Sequence, residues 1–185
     1  SLTYVTYDTS TVLPVWVATG RMLVPVYELI KGPAAAPWLI GMLFILWMVL
    51  ANLLLARFLR LKSRIAIVLT CGLLCANHAI ILFGATYITW LDNNAFAILA
   101  AVAAAYFFCR CVYAAPLGVL CCVISLAIYQ AYFTITVALC FFAALQALLA
   151  GEKVGSVIRK GLRYIALFCV SFIVYCVVWR SVCSA

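Results

Sequence analysis

The chain has 185 residues, 70% of them hydrophobic and 9% charged, and its mean hydropathy is +1.28. This composition excludes an ordinary soluble globular domain, and runs that do not alternate in polarity exclude a membrane β-barrel. Twelve Lys and Arg against four acids give a net charge of +8, but the basic residues cluster at the ends of apolar runs, where they orient helices and do not mark a nucleic-acid partner.

Backbone in lipid must satisfy its own hydrogen bonds, which leaves helices. The expected fold is therefore an all-α polytopic membrane protein. The ten cysteines sit singly or as Cys109/Cys111 and Cys121/Cys122, mostly inside apolar stretches. With no His-rich or paired CxxC spacing beside them, they support neither a zinc site nor a disulfide framework. They read as small buried hydrophobes.

Ser1–Leu13 lack the basic and apolar regions of a signal peptide. The last apolar run stops almost at Ala185, so a fragment of a longer membrane protein is expected. Thr11–Lys31 is apolar but interrupted by Pro14, Gly20 and Pro25 and charged at Arg21, Glu28 and Lys31, which suits a segment lying on the membrane surface. The first clear span is Trp38–Ala56. Four positive charges follow in 57–64 without an acid, which predicts a cytoplasmic loop. A second span, Ile65–Ala85, returns outward to a polar stretch at 86–94. A third, Ala95–Tyr113, runs inward to Arg110.

The apolar stretch Pro116–Ala150 would reach about 50 Å as one helix, too long for an ordinary span. Two short crossings or a re-entrant pair meeting near Tyr129–Tyr132 are expected instead. Gly151–Arg163 is a second basic, cytoplasmic loop, and Tyr164–Trp179 a final outward span. Residues 1–37 then form an extracytoplasmic loop and juxtamembrane segment. Residues 38–185 supply about six membrane-crossing or re-entrant helices of one transmembrane domain.

This topology puts Asp8, Glu28 and Asp92 outside and Glu152 among cytoplasmic charges as a solvated loop residue. Carboxylates are costly near lipid, so the outer three are functional candidates. Each has a plainer reading. Asp8 suits a solvated loop, and Asp92 suits a cap for a helix starting near Ala95. Arg21 suits snorkelling to headgroups. Gln130 reads as an interhelical contact or a cavity residue beside Tyr129 and Tyr132, and His78 with Asn77 as a packed polar pair. Trp16, Trp38, Trp90 and Trp179 read as interface anchors.

Tyr7-Asp8-Thr9 followed by Trp16-Val17-Ala18-Thr19-Gly20-Arg21 resembles the first outer loop of bacterial O-antigen glucosyltransferases. Leu126-Ala127-Ile128-Tyr129-Gln130-Ala131 looks like that family's Leu-Gly-x-Tyr-Gln-Ala stretch, with Ala127 at the glycine. Trp90-Leu91-Asp92-Asn93-Asn94 is similar to its acid-bearing outer loop. Where the family often has two adjacent acids in the first loop, Asp8 stands alone. The resemblance implies a GT-C-like bundle in the bacterial inner membrane, carrying an extracytoplasmic juxtamembrane segment. It further implies glucose transfer from a polyprenyl-phosphate donor to a lipid-linked or surface polysaccharide such as O-antigen, by an inverting displacement in analogy with the class.

Such chemistry needs a base for the acceptor hydroxyl and cations for the departing phosphate. Asp8 is the expected base and Arg21 the expected phosphate partner. Trp16, Glu28, Asp92, Tyr129 and Gln130 are the remaining substrate-binding candidates, with Lys31 and Arg180 able to complete a mixed-charge cleft. The cofactor requirement stays open, a divalent cation included. A transporter or flippase for a lipid-linked sugar would use Asn77, His78 and Gln130 instead, and a structural membrane-complex subunit would need none of the acids.

Overall fold

The computed structural model describes residues 15–31, 36–76, 88–110 and 112–184. The readings placed on Asp8, Asn77 and His78 lie outside the described residues. Every regular element described is helical: α1 (Leu23–Lys31), α2 (Pro37–Phe58), α3 (Arg64–Cys75), α4 (Leu91–Arg110), α5 (Ala115–Ile128), α6 (Phe133–Leu149) and α7 (Val154–Ser184). Short 3-10 turns at Ile88–Trp90 and Gln130–Tyr132 lead into α4 and α6. Among the described residues four helical stretches, α2, α4, Gln130–Leu149 and α7, are long and apolar enough to cross a membrane. The chain is thus an all-α polytopic membrane protein in both composition and architecture.

The helix α4 is the hub. Of its apolar window 67% is buried within the chain, against 28%, 17% and 11% for the other three. Its sequence explains this. Ala95, Ala97, Ala100, Ala101, Ala104 and Ala105 are all buried, and such small side chains let neighbouring backbones come close where lipid offers no hydrophobic drive between helices. α2, α5 and α6 pack against it. Ser125 Oγ of α5 donates to Ala97 O and Thr136 Oγ1 of α6 donates to Ala101 O, each at 3.0 Å. Gly118 lets α5 lie close against α4, since a Cβ there would meet the Phe108 ring at 2.6 Å. The helix α7 buries Tyr164, Ser171 and Tyr175 along one stripe and exposes apolar residues elsewhere, as a helix at the lipid boundary should.

Element boundaries differ from expectation in three places. Where a span over Ile65–Ala85 was expected, α3 runs over Arg64–Cys75 and is too short to count among the four; residues 77–85 lie outside the described residues. α4 begins at Leu91, ahead of the expected start at Ala95, because the turn Ile88–Trp90 feeds directly into it. Asp92 is therefore inside the first turn and not its cap. α7 begins at Val154, so most of the expected basic loop is helical. Its 31 residues extend about 46 Å, and the charged first turns are exposed, so they remain helical beyond the length a bilayer requires. Glu152 is exposed and bonded to Lys160 at 2.6 Å. That hydrogen bond pulls its carboxyl below the usual range. The apolar stretch 116–150 is divided at Tyr129, whose backbone is extended (φ −155°, ψ 111°), with neither Pro nor Gly at the break.

Candidate functional site

The turn at residues 15–18 sets the geometry. It ends in a paired closure, Gly20 N donating to Val17 O at 3.0 Å and Arg21 N to Trp16 O at 2.8 Å. Gly20 takes the left-handed conformation this closure needs (φ 80°). A helical end leaves carbonyls without intrahelical partners, and here side chains from far along the chain supply them. Trp179 Nε1 donates to Val17 O at 2.8 Å, Gln130 Nε2 to Thr19 O at 3.1 Å, and Tyr175 Oη to Gly20 O at 2.9 Å. Gln130 Nε2 also donates to Tyr175 Oη at 3.0 Å. A Cβ on Gly20 would collide with the Tyr175 hydroxyl and come within 2.7 Å of the Gln130 amide.

This clamp delivers Arg21 to a fixed place. Its guanidinium lies over the Tyr129 ring at 4.6 Å and over the Trp16 ring at 5.3 Å. No carboxylate pairs with it among the described residues, and its buried Nε has no hydrogen-bond partner. A cation held by aromatic faces keeps its hydrogen-bond donors available for an anion.

A cleft of about 180 Å³ opens beside Arg21, lined by Trp16, Val24, Trp90, Asn93, Asn94, Ile128 and Tyr129. Trp16 meets Trp90 edge to face at 4.9 Å. α1 closes one side, inserting Val24 into the core while Leu29 and Ile30 point outward. Pro25 falls in the first turn of α1, where a missing N–H costs no helical bond.

Behind Asn93 lies a buried ionic network. Lys31 Nζ sits 2.9 Å from Glu28 and 3.3 Å from Asp92. The Lys31 and Asp92 side chains are 3% and 0% exposed and that of Glu28 is 27% exposed. Glu28 Oε1 also accepts from Asn93 Nδ2 at 2.7 Å. Tyr27 accepts from Trp47 Nε1 at 2.9 Å, tying α1 to α2. Burial raises the Tyr27 phenol above its ordinary value, against the Trp47 hydrogen bond that lowers it, so it stays protonated.

The candidates thus separate into three groups. Trp16, Arg21 and Tyr129 share the cleft. Glu28 and Asp92 meet through Lys31 behind it. Gln130 holds the Gly20 turn instead. Arg180 is exposed and joins neither acid. Asp8 lies outside the described residues. Trp90, Asn93, Tyr175 and Trp47 were not singled out as site residues by the sequence. Asn93 had one signal, a polar residue opening an apolar run beside Asp92.

The fold, with this polar cleft at one end of an apolar bundle, defines a polytopic membrane protein. A family model described as glucosyl transferase GtrII matches residues 4–182. The chain belongs to this family, and so to a family of membrane transferases that handle a glucosyl unit. No match is found among curated proteins or among solved structures.

Proposed function

We propose that this chain transfers glucose from a polyprenyl-phosphate donor to a lipid-linked or surface polysaccharide such as O-antigen, as a GT-C-type enzyme. The observation that carries this reading is Arg21, a cation without a carboxylate partner among the described residues, stacked between aromatic rings at the cleft. Arg21 binds the phosphate of the donor, and Trp16, Trp90 and Tyr129 offer ring faces to the sugar. Glu28, Lys31 and Asp92 support the cleft wall through Asn93.

In the reaction, the acceptor hydroxyl attacks the anomeric carbon as the bond from that carbon to the phosphate oxygen breaks. The electron pair leaves with the polyprenyl phosphate, whose charge Arg21 stabilises. The hydroxyl proton passes to Asp8, at the start of the outer loop. Gln130, Tyr175 and Trp179 act as positioning residues, because they fix the turn that carries Arg21.

The charge distribution supports an extracytoplasmic cleft. Nine of the twelve Lys and Arg (Arg57, Arg60, Lys62, Arg64, Arg110, Lys153, Arg159, Lys160, Arg163) belong to the helix ends and turns away from the cleft. By the positive-inside rule that end is cytoplasmic, in a bacterial inner membrane.

The test is glucose transfer from a polyprenyl-phosphate donor by the full-length protein in proteoliposomes. Asp8→Asn should cut kcat by about 10²–10⁴-fold, the usual worth of a positioned base. Arg21→Lys should cut kcat/KM by about tenfold or more, since an ammonium cannot reproduce the stacked fork. Normal transfer by a well-inserted Asp8→Asn protein would remove Asp8 from the mechanism, and normal transfer by Arg21→Lys would remove the phosphate role.

A further inference from the structure

Asn93 carries an unmatched polar atom at the cleft. Its side chain is buried (2% exposed), it lines the cleft, and its Oδ1 has no hydrogen-bond partner. The direction of the amide follows from chemistry. Glu28 Oε1 lies 2.7 Å from one amide atom of Asn93, and a carboxylate paired with Lys31 accepts, so that atom is the nitrogen. Lys31 fixes Glu28 in turn, and Asp92 fixes Lys31. The oxygen is therefore presented by a chain of four residues. A buried acceptor left unpaired is destabilising, and a ligand with a hydroxyl would relieve it.

Arg21, which lines the same cleft, offers the complement, since its Nε is a buried donor without a partner. One unmatched donor on a cation and one unmatched acceptor on an amide suit a ligand with an anionic oxygen at one end and a hydroxyl at the other. The space, about 180 Å³, suits a small unit such as one sugar ring.

We infer that Asn93 is a specificity-determining residue of the donor subsite, its Oδ1 accepting from one hydroxyl of the glucosyl unit while Glu28, Lys31 and Asp92 act as positioning residues for it. This rests on the proposed donor. Asn93 recognises a hydroxyl by accepting its proton in a hydrogen bond, so a sugar lacking that hydroxyl leaves the acceptor unpaired again. Such rejection is the strong form of substrate discrimination.

The experiment titrates the full-length protein in proteoliposomes with polyprenyl-phosphate glucose and its 2-, 3-, 4- and 6-deoxy forms, reading tryptophan fluorescence for binding and transfer for kcat and KM. Wild type should lose about tenfold in affinity for a single one of the four deoxy donors. Asn93→Ala should lose about tenfold for glucose and nothing further for that same deoxy donor. Glu28→Gln, whose amide no longer dictates the direction of Asn93, should lower the discrimination several-fold with the bundle intact. It keeps the inference testable if Asn93→Ala fails to fold. Equal binding of all four deoxy donors by wild type, or undiminished discrimination in either variant, overturns the inference. Absence of binding by the parent donor to wild type overturns instead the proposed donor itself.

Discussion

Gly20 illustrates how much one residue carries. Its positive φ closes the turn after residues 15–18, and its missing Cβ makes room for the Tyr175 hydroxyl and Gln130 amide. Gly20→Ala should therefore cost about 1–2 kcal/mol from backbone conformation alone, plus the displacement of both clamping side chains. The expected outcome is a lowered unfolding midpoint in detergent and a greater proportional loss of glucose transfer. Unchanged transfer would show that the clamp does not position Arg21. The Trp16–Arg21 motif was visible in the sequence as a pattern, but the partners of its carbonyls were not. Gln130 and Trp179 lie 111 and 162 residues from the atoms they cap, and no local signal encodes pairs so distant.

At the scale of elements, the order of the apolar helices and the break near Tyr129 followed from hydropathy and rise per residue. The ends of helices did not. Asp92 reads as a cap from its neighbours Asn93 and Asn94, yet the helix starts one residue before it, and the carboxylate goes to Lys31. The basic stretch before Tyr164 reads as a loop, though Val154 already starts α7, because charge alone does not distinguish a solvated helix from a solvated coil. Glycines in the helices also differ in ways that only packing reveals. Gly118→Val should push on Phe108 and lower the unfolding midpoint by the equivalent of about 1–3 kcal/mol, as Cβ alone would sit 2.6 Å from the ring. Gly41→Ala, with nothing within 4 Å, should leave the midpoint unchanged or raise it by up to about 1 kcal/mol through helix propensity. Equal effects at both positions would contradict the close approach of α5 to α4.

For the whole molecule, charge and shape agree. The polar cleft is built where α1, the start of α4, the break after α5 and the end of α7 converge, while the turns after α2 and α6, with the helix ends beside them, hold eight of the twelve Lys and Arg. Fusions of green fluorescent protein after Leu61 and after Gly151 should both fluoresce, and alkaline phosphatase at the same sites should stay inactive. An active phosphatase at either site would reverse the proposed orientation of the cleft. The ten native cysteines make fusion reporters a cleaner measure here than thiol labelling.

The sequence by itself determined the membrane class, the placement of apolar helices and the short motifs that resemble the glucosyltransferase family, because hydropathy and local spacing are one-dimensional properties. It also ranked the acids by their place along the chain. The tertiary structure decided what those polar residues touch. It separated Arg21 from every described carboxylate, joined Glu28 to Asp92 through Lys31, turned Gln130 toward a backbone cap and left Asn93 with an open acceptor. Burial fixes such partnerships, since a polar group taken out of water must bond whatever the fold brings within reach, and which groups come within reach is settled only when the helices pack.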